Sequence, residues 1–338
     1  MRGFSPLEYS RELLNNTDPI FSYKTGEDIE AFQREAPGKL KNLLGIDSIE
    51  REYLPKDAEI EYDIYADDLG AREISFTVES ENNVFVPCHL FIPDGKDRPM
   101  LIVALHGHST GMHTCLGRIR YPIDEAAIAE QDCDFARQAI EKGYAVLTLE
   151  HRGFGERGGD EKGARCSELS LRAIMIGRTL LGERIWDAKI AIDAVINSFA
   201  DLVDTQNIIA LGYSGGGSVG TYLSAIDKRI KSAVIVSAIS TFKDSIGAMP
   251  HCACNYVPSM AKYFDMGGIC QLIAPRRLVV ISGNDDRIFP ISGAAECVNT
   301  AKSAFAAFNA EDMLTHISAN GGHKFYPREA WNAIKKMG

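Results

Sequence analysis

No apolar run among the 338 residues approaches the roughly 18 that a membrane-spanning helix needs. No basic stripe is present either, and the formal net charge is −10, from 36 Lys and Arg against 46 Asp and Glu. Such a chain lacks the electrostatic footprint that binds phosphate backbones, so neither nucleic acid nor a membrane is an expected partner. Met1 to Asn15 shows no basic region followed by an apolar core, which makes cytoplasmic residence the expectation. Internal repeats and low-complexity segments are absent. Eight cysteines, at 88, 115, 133, 166, 252, 254, 270 and 297, are too dispersed for a disulfide framework and read as free thiols. A metal is not expected: His251, Cys252 and Cys254 cluster, but no second pair with ligand spacing accompanies them. The HGH at His106 to His108 is not a metallo-hydrolase HxHxDH, because Thr110 and Gly111 stand where Asp and His are needed.

With 45% hydrophobic residues the chain can bury a large core in one elaborated domain. Residues 1–58 read as a polar, helical N-terminal cap without strand signals, and 59–338 as the main domain. The alternating segments EISFTVES and VFVPCHLFIP imply an antiparallel pair. The continuous apolar runs PMLIVAL, YAVLTLE, NIIALGY, IKSAVIV and RRLVVISG imply strands buried on both faces. A helix around 124–142 and helical stretches between 168 and 199 alternate with these strands. The fold class is therefore α/β, an eight-stranded, mostly parallel sheet with helices on both faces. Loops at about 155–182 and 241–270 read as insertions over its C-terminal edge.

The chemistry concentrates at that edge. GYSGGG (212–217) follows the strand NIIAL and precedes the helix SVGTYLSAI, so Ser214 sits on a sharp strand-to-helix turn where Gly212 and Gly216 are sterically required. Such a serine needs a histidine base and a carboxylate to orient it. His323, in the mobile loop GGHKFYP after the last strand, follows the serine in the chain, whereas His106 and His151 precede it and His316 lies within the strand. Asp285 and Asp286 both follow RRLVVISG; Asp286 fits the spacing Gly283, Asp286, Pro290, and Asp285 reads as an exposed turn residue. Two amides must face a developing oxyanion: Gly215 supplies one, and the HGHSTG loop the other, through His108 with Gly107 as the alternative.

Together LHGH, EHRGFGER, GYSGGG, APRRLVVISG with its acid turn and GGHKFYP resemble the α/β-hydrolase superfamily from about residue 70 onward. Within it the chain is similar to the dienelactone hydrolase-like and acetyl xylan esterase/cephalosporin-C deacetylase group, and to bacterial esterases with segments like HCACNYVPSMAKYFD. The resemblance implies a serine carboxylic ester hydrolase acting on small acyl, especially acetyl, esters through an acyl-enzyme, with no cofactor. Arg152, Phe154, Met175, Met249, Cys252, Tyr256 and Phe264 are candidate pocket walls by location; Arg152 alternatively ties loops together through ion pairs. A prolyl-oligopeptidase-type serine peptidase and a non-catalytic binding module are the alternative functions. Short sequence ahead of the first strand counts against the peptidase, and a complete Ser, Asp, His set against the binding module. The partner is a small-molecule ester whose alcohol the residues do not select, and the helical cap is a candidate surface for self-association.

Overall fold

The computed structural model describes residues 5–337. Three helices come first, α1 (Pro6–Asn15), α2 (Ile29–Leu44) and α3 (Ile46–Glu50), then β1 (Glu59–Ala66), β2 (Ala71–Glu81), β3 (Val84–Pro93) and β4 (Met100–Leu105). After α4 (Pro122–Gln131) and α5 (Phe135–Glu141) come β5 (Ala145–Leu149), α6 (Cys166–Met175), α7 (Leu180–Phe199), β6 (Asp204–Tyr213), α8 (Gly215–Ile226) and β7 (Ile230–Val236). The last part carries α9 (Met260–Tyr263), α10 (Met266–Gln271), β8 (Arg277–Gly283), α11 (Ile291–Ala307), β9 (Leu314–Ala319) and α12 (Pro327–Ile334).

All nine strands form one sheet in the order β1-β2-β3-β5-β4-β6-β7-β8-β9. The first three pair antiparallel, β3 pairs antiparallel with β5, and every pairing from β5 to β9 is parallel. The sheet therefore has nine strands rather than eight. The extra one is β1, whose EIEYDIYA is exposed at every position except Ala66. A strand that buries neither face leaves no core-facing pattern to read. The single helix expected around 124–142 is two, because Asp132 takes a left-handed φ of +51° between α4 and α5. A short polar side chain tolerates that conformation, and Lys324 holds this one at 2.7 Å.

The inner parallel strands β4, β5, β7 and β8 are buried on both faces, as their unbroken apolar runs require, while the edge strand β9 is half-buried. One face packs on α7, α8, α10 and α11 through Ile185, Trp186, Val219, Leu223, Ile269 and Phe305, and the other on α5 and α12 through Phe135, Ile140 and Ile334, with Phe325 from the loop before α12. Helices α2 and α3 join the first of these cores, whereas α1 buries no residue. Ala36, Leu40 and Leu44 of α2 are fully buried there, and a Cβ on Gly182 would collide with the Leu44 carbonyl. α2 therefore lies over helices of the sheet face and not along a sheet edge.

Candidate active site

β6 ends at Tyr213 and α8 begins at Gly215, so one residue makes the whole turn. Ser214 takes φ +52° and ψ −122°, a region that costs a non-glycine residue of order 1–3 kcal/mol and that persists only where the surroundings enforce it. They do so by contact. A Cβ on Gly212 would stand 2.5 Å from the Gly216 carbonyl oxygen, and one on Gly216 would run into the Leu105 carbonyl at the end of β4. The Ser214 amide donates to Val236 at the end of β7 (3.0 Å), which fixes the turn from its other side.

His323 reaches this serine from the loop after β9. Its Nε2 lies 2.8 Å from Ser214 Oγ, and its Nδ1 donates to Asp286 Oδ2 at 2.9 Å. That carboxylate assigns the Nδ1–H tautomer and leaves Nε2 to accept from the hydroxyl. Asp286 is itself held, because its Oδ1 accepts from the amides of Ile288 and Phe289 at 2.8 and 3.0 Å, while Asp285 points outward and is exposed. The His323 ring sits between Tyr213 and Phe289, with centroids 5.5 and 5.9 Å away. Three hydrogen bonds anchor the loop: Ser237 donates to the Lys324 carbonyl (2.9 Å), Asp285 N to Gly321 (2.9 Å) and Phe325 N to Gln131 (2.9 Å).

The loop after β4 presses on the elbow, since a Cβ on Gly107 would lie 3.2 Å from Ser214 Cβ. Among the described residues neither the His108 nor the Gly215 amide donates to another protein group. The Gly215 amide opens α8, where the first amides have no intrahelical acceptor and carry positive partial charge. A cleft of about 360 Å³ opens beside His108, lined by Ser109, Thr110, Asp124, Gln131 and Lys162 together with Ile123, Ala127, Cys166 and Cys252; Ser214 and His323 are not among its lining residues.

Of the expected pocket walls Cys252 lines this cleft, next to His108, and Arg152, Phe154, Met249 and Tyr256 do not. Arg152 is committed to carboxylates, with two bonds of 2.8 Å to Asp187, one of 2.7 Å to Glu81 and a contact of 3.3 Å to Glu183. Its alternative role, tying loops together, is the one its contacts describe. Phe154 is 2% exposed and packs under His106 and the Arg184 guanidinium. Tyr256 donates to the carbonyls of Ile246 and Met249, bracing its own loop. Phe264 is fully buried in the main core, and Met175 projects into solvent at 85% exposure.

The remaining histidines are occupied or buried. His316 lies 3.1 Å from Ser282 Oγ in β9, and burial lowers its pKa. His151 is fully buried without a hydrogen-bond partner among the described residues; burial first, then the neighbouring His106, push its pKa well below the usual value and hold it neutral. His251 sits 3.1 Å from Ser245 Oγ, away from the cysteines next to it in sequence.

A constellation that sequence spacing concealed lies beside the cleft. His108 Nε2 and the sulfurs of Cys166, Cys252 and Cys254 all lie within 4.8 Å of one another. His108 comes from the β4 loop, Cys166 from the start of α6 and the CxC from the 241–270 insertion, so only the fold brings them together.

No family model matches the chain. Over 192 residues it is 30% identical to the Bacillus subtilis (strain 168) protein "Putative hydrolase YtaP", an alignment covering 56% of this chain and 62% of that protein. Among solved structures it is similar to one described as a putative acetyl xylan esterase from Bacteroides fragilis NCTC 9343, with TM-score 0.75 and 15% identity over 94% of this chain and 83% of the other. It is also similar to the glucuronoyl esterase from Solibacter usitatus, with TM-score 0.67 and 14% identity over 96% and 98% of the two chains. At such identities the likeness concerns the fold, and the fold of this chain is that of the α/β-hydrolases.

Proposed function

We propose that the chain is a serine ester hydrolase in which Ser214 attacks an ester carbonyl, His323 takes the hydroxyl proton and Asp286 orients the imidazole. The continuous line Asp286, His323, Ser214, with links of 2.9 and 2.8 Å at a strained elbow, carries this reading. Attack gives a tetrahedral oxyanion that the free amides of Gly215 and His108 receive. His323 then returns its proton to the departing alcohol, and water attacks the acyl-enzyme by the same path. A preorganised amide donor of this kind contributes about 3–4 kcal/mol of transition-state stabilisation.

The acyl group is small and the alcohol polar, with acetylated carbohydrate the class that suits the site best. The cleft beside His108, a neighbour of the Gly215 side of the elbow, presents hydroxyls, an amide, carboxylates and an ammonium group beside Ile123 and Ala127, groups that suit a polar alcohol. Similarity to a protein described as an acetyl xylan esterase and to a glucuronoyl esterase supports a carbohydrate ester. The test is hydrolysis of p-nitrophenyl acetate, butyrate and octanoate by wild type and Ser214→Ala, with fluorophosphonate labelling of both. Acetate should be preferred, the variant should fall by at least about 10³-fold, and only wild type should label. Equal turnover by the variant, or no labelling of Ser214, would sink the assignment.

A further inference from the structure

We propose that His108, Cys166, Cys252 and Cys254 form a tetrahedral zinc site that clasps the two loop insertions to the loop bearing the His108 amide. Cys254 Sγ lies 3.3 Å from His108 Nε2 and 3.3 Å from Cys252 Sγ, and Cys166 Sγ lies 3.7 Å from the same nitrogen. A tetrahedral zinc with bonds of about 2.3 Å to sulfur and 2.05 Å to nitrogen has ligand edges of about 3.8 Å between sulfurs and 3.6 Å between sulfur and nitrogen. Three of the six edges, at 3.3, 3.3 and 3.7 Å, come within about 0.5 Å of that cage, and the other three lie within 4.8 Å, so small side-chain adjustments bring the four donors onto one ion. Three thiolates with one imidazole are the donor set of structural zinc, soft enough to reject magnesium and calcium.

A second observation comes from charge. Arg184 is 3% exposed, and its guanidinium donates to the Arg152 carbonyl at 2.6 and 3.1 Å and to Cys166 Sγ at 3.2 Å. Among the described residues no Asp or Glu pairs with it, so beyond the Arg152 carbonyl and the face of Phe154 this buried cation meets only sulfur. Three thiolates, a neutral imidazole and Zn²⁺ sum to −1, which Arg184 balances. On binding, three S–H bonds release their protons to solvent while three Zn–S bonds and one Zn–N bond form, with no change of oxidation state.

All four positions are filled by protein, so the site is closed and structural and holds no water for chemistry. Its effect on the reaction is one of positioning. Ligation through Nε2 keeps the proton of His108 on Nδ1, the atom that a Cβ on Gly215 would meet at 2.5 Å. The metal thus fixes the loop that supplies one candidate oxyanion amide against the residue that supplies the other.

The test uses the full chain, reduced, stripped with a chelator and titrated with Co²⁺ and then Zn²⁺. Expected is saturation at about one Co²⁺ per chain, with thiolate-to-metal charge-transfer absorption and the intense visible bands of tetrahedral cobalt, both lost on adding one equivalent of Zn²⁺. Cys166→Ser should weaken binding at least about tenfold and remove about a third of the charge-transfer intensity, one thiolate of three, while a folded Cys133→Ser matches wild type. Absence of Co²⁺ binding by the reduced wild type, a weak octahedral spectrum, or a Cys166→Ser spectrum equal to wild type would overturn the proposal. None of these readouts involves ester hydrolysis, so the site stands or falls apart from the activity.

Discussion

Replacing Arg152 by Ala should cost stability and leave substrate binding alone. The guanidinium is 12% exposed and grips Asp187, which is wholly buried, with two bonds of 2.8 Å; Glu81 and Glu183 complete its shell. Arg157 and Arg178 add two further cations, so three arginines face three carboxylates. Removing one partner of a buried pair costs about 3–5 kcal/mol, and because Asp187 keeps Arg157 and Ser80 the lower figure of about 3 kcal/mol applies here. At about 2.1 cal/mol/K per residue over 338 residues, the unfolding entropy is about 0.7 kcal/mol/K, so Tm should fall by about 4 °C. Arg152→Lys keeps the charge but not the two-pronged bond and should fall between. Burial alone would raise the Asp187 pKa, yet Arg152 and Arg157 outweigh it and hold the carboxyl well below its usual range. A depressed folded pKa means stability that is present above the unfolded value and lost as pH falls toward the folded one. Without Arg152 the folded pKa moves back toward the unfolded value, so the variant, already less stable at neutral pH, should lose less further stability on acidification and show a flatter acid limb than wild type. Differential scanning fluorimetry from pH 3 to 8, with KM for neutral and anionic acyl esters, checks both halves. An unchanged Tm with a tenfold rise in KM for the anionic ester alone would refute the reasoning and return Arg152 to the pocket.

Asp286→Asn should lower kcat by about 10⁴ with little change in KM, whereas Asp285→Asn should stay within about twofold of wild type; steady-state kinetics on p-nitrophenyl acetate separates them. Gly216→Ala should abolish hydrolysis or soluble expression, because its Cβ meets the Leu105 carbonyl. Gly38→Ala, in open space within α2, should instead stabilise by about 0.5–1 kcal/mol, read as a Tm rise of about 1 °C. Burial would raise the Glu73 pKa, but His89 and Arg118 bring it down from 4.5 to about 2. Its contribution is present above about pH 4.5 and lost toward pH 2, so Glu73→Gln should flatten the acid limb of the Tm profile between those values; an unchanged limb would show the pairing to be inert.

The parts of the fold legible from residues alone were those where one local cause dominates. Gly212, Ser214 and Gly216 could be placed because the elbow forbids a Cβ, and the parallel strands because burial on both faces demands continuous apolar runs. β1 escaped because its residues bury neither face. His323 was found from chain order, but the pinning of its loop depends on Ser237, Gln131 and Gly321, which no spacing rule links to it. Arg152 reads alike as a ligand contact or an ion-pair anchor until Asp187, 35 residues on, is seen beneath it. The thiol and imidazole cluster is the extreme case: His108 and Cys254 are 146 residues apart, and the local CxC pair invites its neighbour His251, which faces elsewhere.

The seating of the N-terminal helices has a consequence for how the chain is made. Gln271 exchanges hydrogen bonds with the Tyr23 backbone at 2.8 and 2.9 Å, and Ser303 donates to the Tyr23 carbonyl at 3.2 Å across 280 residues of sequence. At about 5–20 residues per second of synthesis, Tyr23 waits some 15–60 s for Ser303, and Leu44 of α2 some 7–30 s for Gly182 of α7, against which it packs. During that interval Leu40 and Leu44 are open to the cell, and the growing chain offers an apolar stripe to any holding factor near the ribosome exit. The stretch around Tyr23 is thus made long before the residues that complete its hydrogen bonds.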